Sequence, residues 1–197
     1  MEKKKLSVTA IVLIVLAVIV VWGIGAYNSL VKNEEGVKSA WSQVENVYQR
    51  RADLIPNLVA TVKGYATHES ATLEGVVEAR AKATQMTVNV DDLSEEKIAE
   101  FQKAQGELGS ALGRLMAITE AYPDLKANEN FRDLQAQLEG TENRIAVERK
   151  AYNQVAQEYN TSIRVFPRSI IASVFGFKVK GYFEAEEGAQ TAPKVEF

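Results

Sequence analysis

One histidine stands in the whole chain, His68, followed by Glu69. A zinc protease of the His-Glu-x-x-His kind needs two imidazoles one helical turn apart. A di-iron bundle needs two Glu-x-x-His motifs, so neither centre can be assembled. His68 reads as an exposed or locally bonded side chain. The chain has no Cys, which removes thiolate metal sites, cysteine nucleophiles, disulfides and a lipidated cysteine. Adjacent carboxylates occur at Glu34–Glu35, Asp91–Asp92, Glu95–Glu96 and Glu186–Glu187. Helix neighbours point about 100° apart, so these pairs suit solvated faces or caps rather than a shared acid/base site. Gly106, Gly109 and Gly113 have neither the spacing nor the preceding strand of a phosphate loop, and close approach by a neighbouring helix is their expected use. No Gly-x-Ser-x-Gly elbow or dinucleotide fingerprint is present. No catalytic, cofactor-binding or metal-binding residue is therefore assigned, and no cofactor.

One polar cluster is less ordinary. Arg132, Glu142, Arg144, Glu148, Arg149, Tyr152, Asn153, Tyr159 and Asn160 crowd a single stretch. They are either a charged outer face or a buried network that fixes register or lines a binding groove. Few opposite charges in the stretch sit three or four residues apart, so these side chains are placed to reach other helices rather than their own.

The elements that would carry them are helices. Val37, Trp41, Val44, Tyr48, Ile55, Leu58, Val62 and Tyr65 fall on one helical face, and the phase runs on through Leu73, Val76, Ala83 and Met86. Pro56 interrupts this run and predicts a kink or a break, with Asp53 as a possible cap of a new helix. Gly64 and residues 68–70 are a second candidate break. Residues 88–93 read as a loop, with Asp92 and Glu95 resembling a capping box. A helix to about Glu120 places Ile98, Phe101, Leu108, Leu112, Leu115 and Ile118 inward. Tyr122-Pro123-Asp124 ends it. A long helix from about Asn128 to Arg164 follows, stopped by Phe166-Pro167, and a short apolar helix over 168–175 ends at Gly176. Residues 177–197 are expected to be extended or disordered. The fold class is all-α: an antiparallel up-and-down bundle of three or four long helices over 27–176, the first kinked or broken near Pro56, preceded by a transmembrane helix.

That transmembrane helix is residues 6–26, which carry no charge. They span roughly 31 Å as a helix, against a hydrocarbon core of about 30 Å. Gly23 and Gly25 offer a small-x-small pair to a signal peptidase, but the apolar run exceeds the usual signal h-region and favours a permanent anchor. Lys3, Lys4 and Lys5, in the short basic tail 1–5, favour a cytoplasmic N-terminus and an extracytoplasmic domain, opposed by Lys32 and Lys38. Beyond the anchor the chain has 20 basic and 25 acidic residues. That balance argues against a nucleic-acid partner and offers anionic lipid little beyond the N-terminal tail.

The wording of the sequence is specific. Tyr27-Asn28-Ser29-Leu30-Val31 follows the anchor; then come Trp41-Ser42-Gln43-Val44-Glu45 and Gln49-Arg50-Arg51-Ala52-Asp53-Leu54-Ile55-Pro56-Asn57-Leu58-Val59. Tyr122-Pro123-Asp124-Leu125-Lys126-Ala127-Asn128, Asn130-Phe131, Thr141-Glu142-Asn143-Arg144-Ile145-Ala146, Arg149-Lys150-Ala151-Tyr152-Asn153 and Phe166-Pro167 continue in order, and Gly176-Phe177 and Tyr182-Phe183 close the series. Together they resemble the LemA family of bacterial membrane proteins over nearly the whole chain. The resemblance implies a single-pass N-terminal anchor, an elongated helical bundle and no known enzymatic activity.

The expected function is that of a non-enzymatic membrane-anchored interaction module, a scaffold or adaptor of the bacterial cell envelope at the cytoplasmic (inner) membrane. Its expected partners are membrane lipid through the N-terminal helix, unidentified envelope proteins and, as a homo-oligomer, further copies of itself. A self-assembling membrane-remodelling protein and a sensor bundle binding a small ligand are the alternatives.

Overall fold

A computed structural model describes residues 8–185. Lys3, Lys4, Lys5, the Glu186–Glu187 pair and the tail beyond 185 lie outside the described residues. Six helices and no strand occur among those described.

The first helix, α1, is Val8–Lys63, a single element of 56 residues. It joins the apolar anchor to the bundle without a break. From 11 to 22 every residue is exposed, which is what a helix solvated by lipid rather than by protein presents. With this exposed apolar segment the chain is a membrane protein. From Leu30 onward one face is buried: Val37, Trp41, Val44, Tyr48, Ile55, Leu58 and Val62.

Pro56 does not end α1. The helix runs a further seven residues and stops at Gly64, where the chain turns through residues 64–69. The break therefore lies at the second candidate position. Asp53 caps nothing; mid-helix, its carboxylate accepts from Gln49 Nε2 at 2.7 Å.

The chain then returns. α2 is Ser70–Gln85, α3 is Glu95–Thr119, α4 is Pro123–Ala127 and α5 is Glu129–Arg164. The expected capping box at Asp92 and Glu95 does not form: Ser94 occupies the cap position, with no side-chain bond to the helix. Asn128 does cap α5, its Oδ1 accepting from Phe131 N at 3.0 Å. α5 lies antiparallel to α1, since Tyr152 and Tyr159 meet Trp41 and Tyr48 in one core cluster while Phe131 and Leu138 meet Leu58 and Val62 in the other. α2 and α3 complete the bundle over the other flank of α1.

The glycines of α3 are not there for close packing. A Cβ at Gly106, Gly109 or Gly113 would meet nothing within 4 Å. They lie on the outer side of a helix whose inner side is Leu108, Leu112 and Leu115, so the expected close approach is absent.

The last helix, α6, is Arg168–Phe175, closed by Gly176 at φ 77. Only glycine adopts that left-handed backbone without steric cost, and it lets Phe177 N reach back to Ala172 O at 3.0 Å. The chain is thereby sent back along the bundle.

A groove filled by the chain's own tail, and a buried arginine layer

The polar cluster of α5 resolves into two groups by burial. Arg132 and Arg144 are exposed and belong to the solvated face. Arg149, Tyr152, Asn153 and Asn160 converge on the extended segment after α6. Each of two asparagines grips the backbone of one residue, donating to its carbonyl and accepting from its N–H. Asn160 Nδ2 donates to Lys180 O at 2.8 Å while its Oδ1 accepts from Lys180 N at 2.9 Å. Asn153 repeats the pattern on Phe183 at 2.8 and 2.9 Å. From α3, Gln102 does the same to Glu184, at 3.0 Å in both directions. Tyr152 Oη donates to Gly181 O at 3.1 Å, and Gly181 N donates to Leu93 O at 2.8 Å. Side-chain amides thus stand where a neighbouring strand would stand, satisfying a backbone that has no sheet.

Two features make this groove specific for its occupant. Gly181 passes so close to the start of α3 that a Cβ there would lie 2.5 Å from Glu95 Cα. Phe183 enters an aromatic box: its ring stacks on Trp41 at 5.8 Å and meets the Tyr152 ring at 5.5 Å and the Phe101 ring at 6.4 Å. Arg149 sits over it at 5.1 Å. The segment 177–185 forms neither helix nor strand, and it is held in the bundle rather than free; Lys180 and Phe183 are buried. Lys180 Nζ pairs with Glu34 at 2.9 Å, so half of the Glu34–Glu35 pair serves the tail. Glu35 and Asp91 share Lys38, at 3.2 and 2.8 Å. The bond from Asp91 raises the Lys38 ammonium, and the bond from Lys38 holds the Asp91 carboxyl below its usual value.

Below the groove, Arg51 of α1 crosses the bundle axis with 3% of its surface exposed. It donates to Glu142 Oε1 at 3.1 Å on α5 and to Gln105 on α3, at 3.1 Å to the carbonyl and 2.5 Å to Oε1. Gln105 Nε2 reaches Ala83 O of α2 at 3.3 Å. Four helices meet in this layer, which separates the two hydrophobic clusters. A misregistered helix would strand a buried guanidinium, so the layer acts as a register pin.

The layer had a signal in the sequence, although Arg51, Gln105, Gln102 and Lys180 were not singled out there. Arg51 fills the step of seven between Tyr48 and Ile55, and Gln105 fills that between Phe101 and Leu108. Each stands on the buried phase of its helix. Gln102 and Lys180 gave no comparable signal, because their positions acquire meaning only when the tail folds back.

The remaining chemistry candidates stay dispersed. His68 is exposed in the turn before α2, Glu95 and Glu96 lie in the first turn of α3, and among the described residues no three His, Asp or Glu side chains converge as metal ligands would. A recess beside Tyr48, Ala52, Ala83 and Gln105 holds about 110 Å³ and a shallower, more open one beside Asn57, Thr61, Asp133 and Gln137 about 430 Å³, against the roughly 300–1,000 Å³ of ordinary ligand sites.

A family model described as the LemA family matches residues 40–197, which takes in the arginine layer, the amide clamps and the tail. The chain belongs to the LemA family. The magnetosome protein MamQ 2 of Paramagnetospirillum magneticum is 28% identical, the match covering 84% of this chain and 67% of that protein. The magnetosome protein MamQ of Magnetospirillum gryphiswaldense matches at the same identity and the same shares. Protein LemA of Metamycoplasma hominis is 24% identical over 83% of this chain and 71% of its own. The match begins at residue 40, beyond the apolar segment, and the family's description names no reaction.

Proposed function

We propose that this LemA-family protein is a non-enzymatic, membrane-tethered interaction module of the bacterial envelope, acting as a scaffold or adaptor. One observation carries the reading: α1 is a single helix from the apolar anchor to the far end of the bundle. Its 56 residues correspond to roughly 84 Å of helix. A rod of that kind holds a binding surface at a set distance from the bilayer and raises its effective concentration for partners in the same membrane. The register pin and the clamped tail stiffen that rod. Among the described residues, the polar groups left over from packing bring together no set of nucleophile, base and oxyanion donors.

The basic residues Lys3, Lys4 and Lys5 support an inner-membrane protein with its domain outside the cytoplasm. The names of two relatives associate them with magnetosomes, which fits work at a specialised membrane.

Photo-crosslinking from exposed bundle positions in intact cells is the test. A defined protein neighbour, lost when residues 27–197 are replaced by an unrelated helical bundle, is expected. Crosslinks to lipid alone, or to a random set of neighbours, would overturn the reading. Proteolysis of intact cells and spheroplasts decides the side: cleavage of the domain only after the outer barrier is opened is expected.

A further inference from the structure

α6 and the turn before it, which carries Phe166, place an apolar row in the open. Phe166 is 76% exposed, Ile170 55% and Val174 72%, at steps of four, with Phe175 beside them at 60%. An eight-residue helix with its large side chains in water is costly unless something covers them.

Its location says what that is. The side of α6 next to this row, about 100° round the helix at Ile171 and Phe175, packs on the end of the anchor. Ile171 Cδ1 lies 3.9 Å from where a Cβ of Gly23 would be, and Tyr27 packs on Phe175 at 4.7 Å and on Phe177 at 5.8 Å between ring centroids. Gly23 is three residues, or about 4.5 Å, inside Ala26, the end of the transmembrane segment read from the sequence. Hence α6 sits where hydrocarbon gives way to headgroups, and its exposed row continues the lipid-facing surface of α1. The charge agrees. From 159 to 183 there is no acidic residue, whereas Arg164, Arg168 and Lys178 are all exposed. Basic flanks around an apolar row are the pattern of a helix lying in an anionic interface. The overall acidity of the domain conceals this local excess.

We infer that α6 is a second membrane contact, an interfacial helix whose Ile170 and Val174, with Phe166 of the turn before it, enter the bilayer surface beside the anchor, to a depth of about 5–10 Å. Together the two contacts fix the tilt and rotation of the bundle on the membrane, which one helix alone leaves free. The inference rests on the anchor spanning the bilayer.

The absence of native cysteine allows single labels. Phe166→Cys, Val174→Cys, Val147→Cys and Val15→Cys would each carry a polarity-sensitive fluorophore in the full chain, reconstituted in vesicles of phosphatidylcholine and phosphatidylglycerol. All four side chains are exposed, so none of these changes opens the core. Lipids bearing a nitroxide near the headgroup should quench positions 166 and 174 by roughly twofold or more, at the interfacial depth. Those two positions should resist aqueous iodide, while position 147 responds to iodide alone. Position 15 should be quenched by nitroxide deep in the acyl chain. If position 15 is quenched as expected but 166 and 174 are open to iodide, the interfacial helix is wrong and the anchor stands. If 166 and 174 escape both quenchers and show concentration-dependent transfer between labelled copies, a second copy covers the row and the inference is overturned. Failure of position 15 to meet lipid removes the anchor beneath both.

Discussion

The Nε of Arg80 donates to the carbonyl of Ala52 at 2.8 Å, and Ala52 is the residue four before Pro56. Proline has no N–H, so this carbonyl loses its partner within the helix. A side chain from α2 supplies the missing donor. The bond spans α1 and α2 at the position where α1 is weakest, and it helps explain how a helix continues through an internal proline.

Arg80→Met, which keeps an apolar stem and removes the donor, should cost roughly 1–3 kcal/mol in chemical denaturation. In the Pro56→Ala background the same change should cost clearly less, because the restored N–H serves Ala52. A double-mutant cycle reads that coupling directly. Equal costs in both backgrounds would show that Arg80 acts through something other than the proline.

Gly181→Ala should undock the tail. Both sides of the 2.5 Å contact are backbone, so no flexible side chain can yield. A loss of about 1–3 kcal/mol is expected, with amide exchange accelerated over residues 178–184 and little altered along α5. Gly106→Ala is the converse case: exposed, helical and with open space around its Cβ, it should stabilise by roughly 0.5–1 kcal/mol.

Within the groove, hydroxyls differ in worth. Tyr152 Oη bonds Gly181 O, whereas Tyr159 Oη is buried without a partner among the described residues. Tyr152→Phe should cost about 1 kcal/mol, and Tyr159→Phe should be neutral or slightly stabilising in thermal melts. Asn153→Ala removes two bonds at once and should exceed Tyr152→Phe.

Alkaline pH should loosen the same region. Burial first, with the Tyr182 hydroxyl adding, raises the Tyr152 phenol above its ordinary 10.0; for Tyr159 burial comes first and the Glu34 carboxylate adds to it. A folded value above the unfolded one means the folded state holds the proton more tightly. The associated stability is complete below pH 10 and declines as pH rises past it. Denaturant midpoints followed from neutral pH upward should fall above about pH 10, with tyrosinate absorbance from these two rings appearing only on unfolding. Titration of all the tyrosines at their ordinary value in the folded protein would contradict this.

Arg51→Met tests the register pin. If the guanidinium chiefly selects one alignment of four helices, the variant should keep much of its stability but lose sharp side-chain dispersion in NMR spectra. Glu142→Gln, which leaves the cation buried beside a neutral partner, should be the more destabilising relative to its small change in size.

Periodicity in the chain was enough to locate α3 and α5, since burial along a helix repeats every three or four residues whatever the neighbours are, while uncharged length marked the apolar segment and proline the turn at Tyr122-Pro123. The end of α6 was legible because one glycine conformation stops a helix locally. Register-pin positions were also written there, as polar residues standing in the steps of seven between Tyr48 and Ile55 and between Phe101 and Leu108. What tertiary structure alone decided was the fate of Pro56, since the donor that rescues its helix comes from Arg80, 28 residues beyond the Ala52 carbonyl it serves. The glycines of α3 proved to face outward, a matter of which side of the helix its neighbours occupy. The tail looked free because its own composition is polar and loose; its order comes from amides on α3 and α5 and a Phe183 box drawn from α1, α3 and α5. Contacts of that separation leave no local period, so they become visible only when the chain has closed on itself.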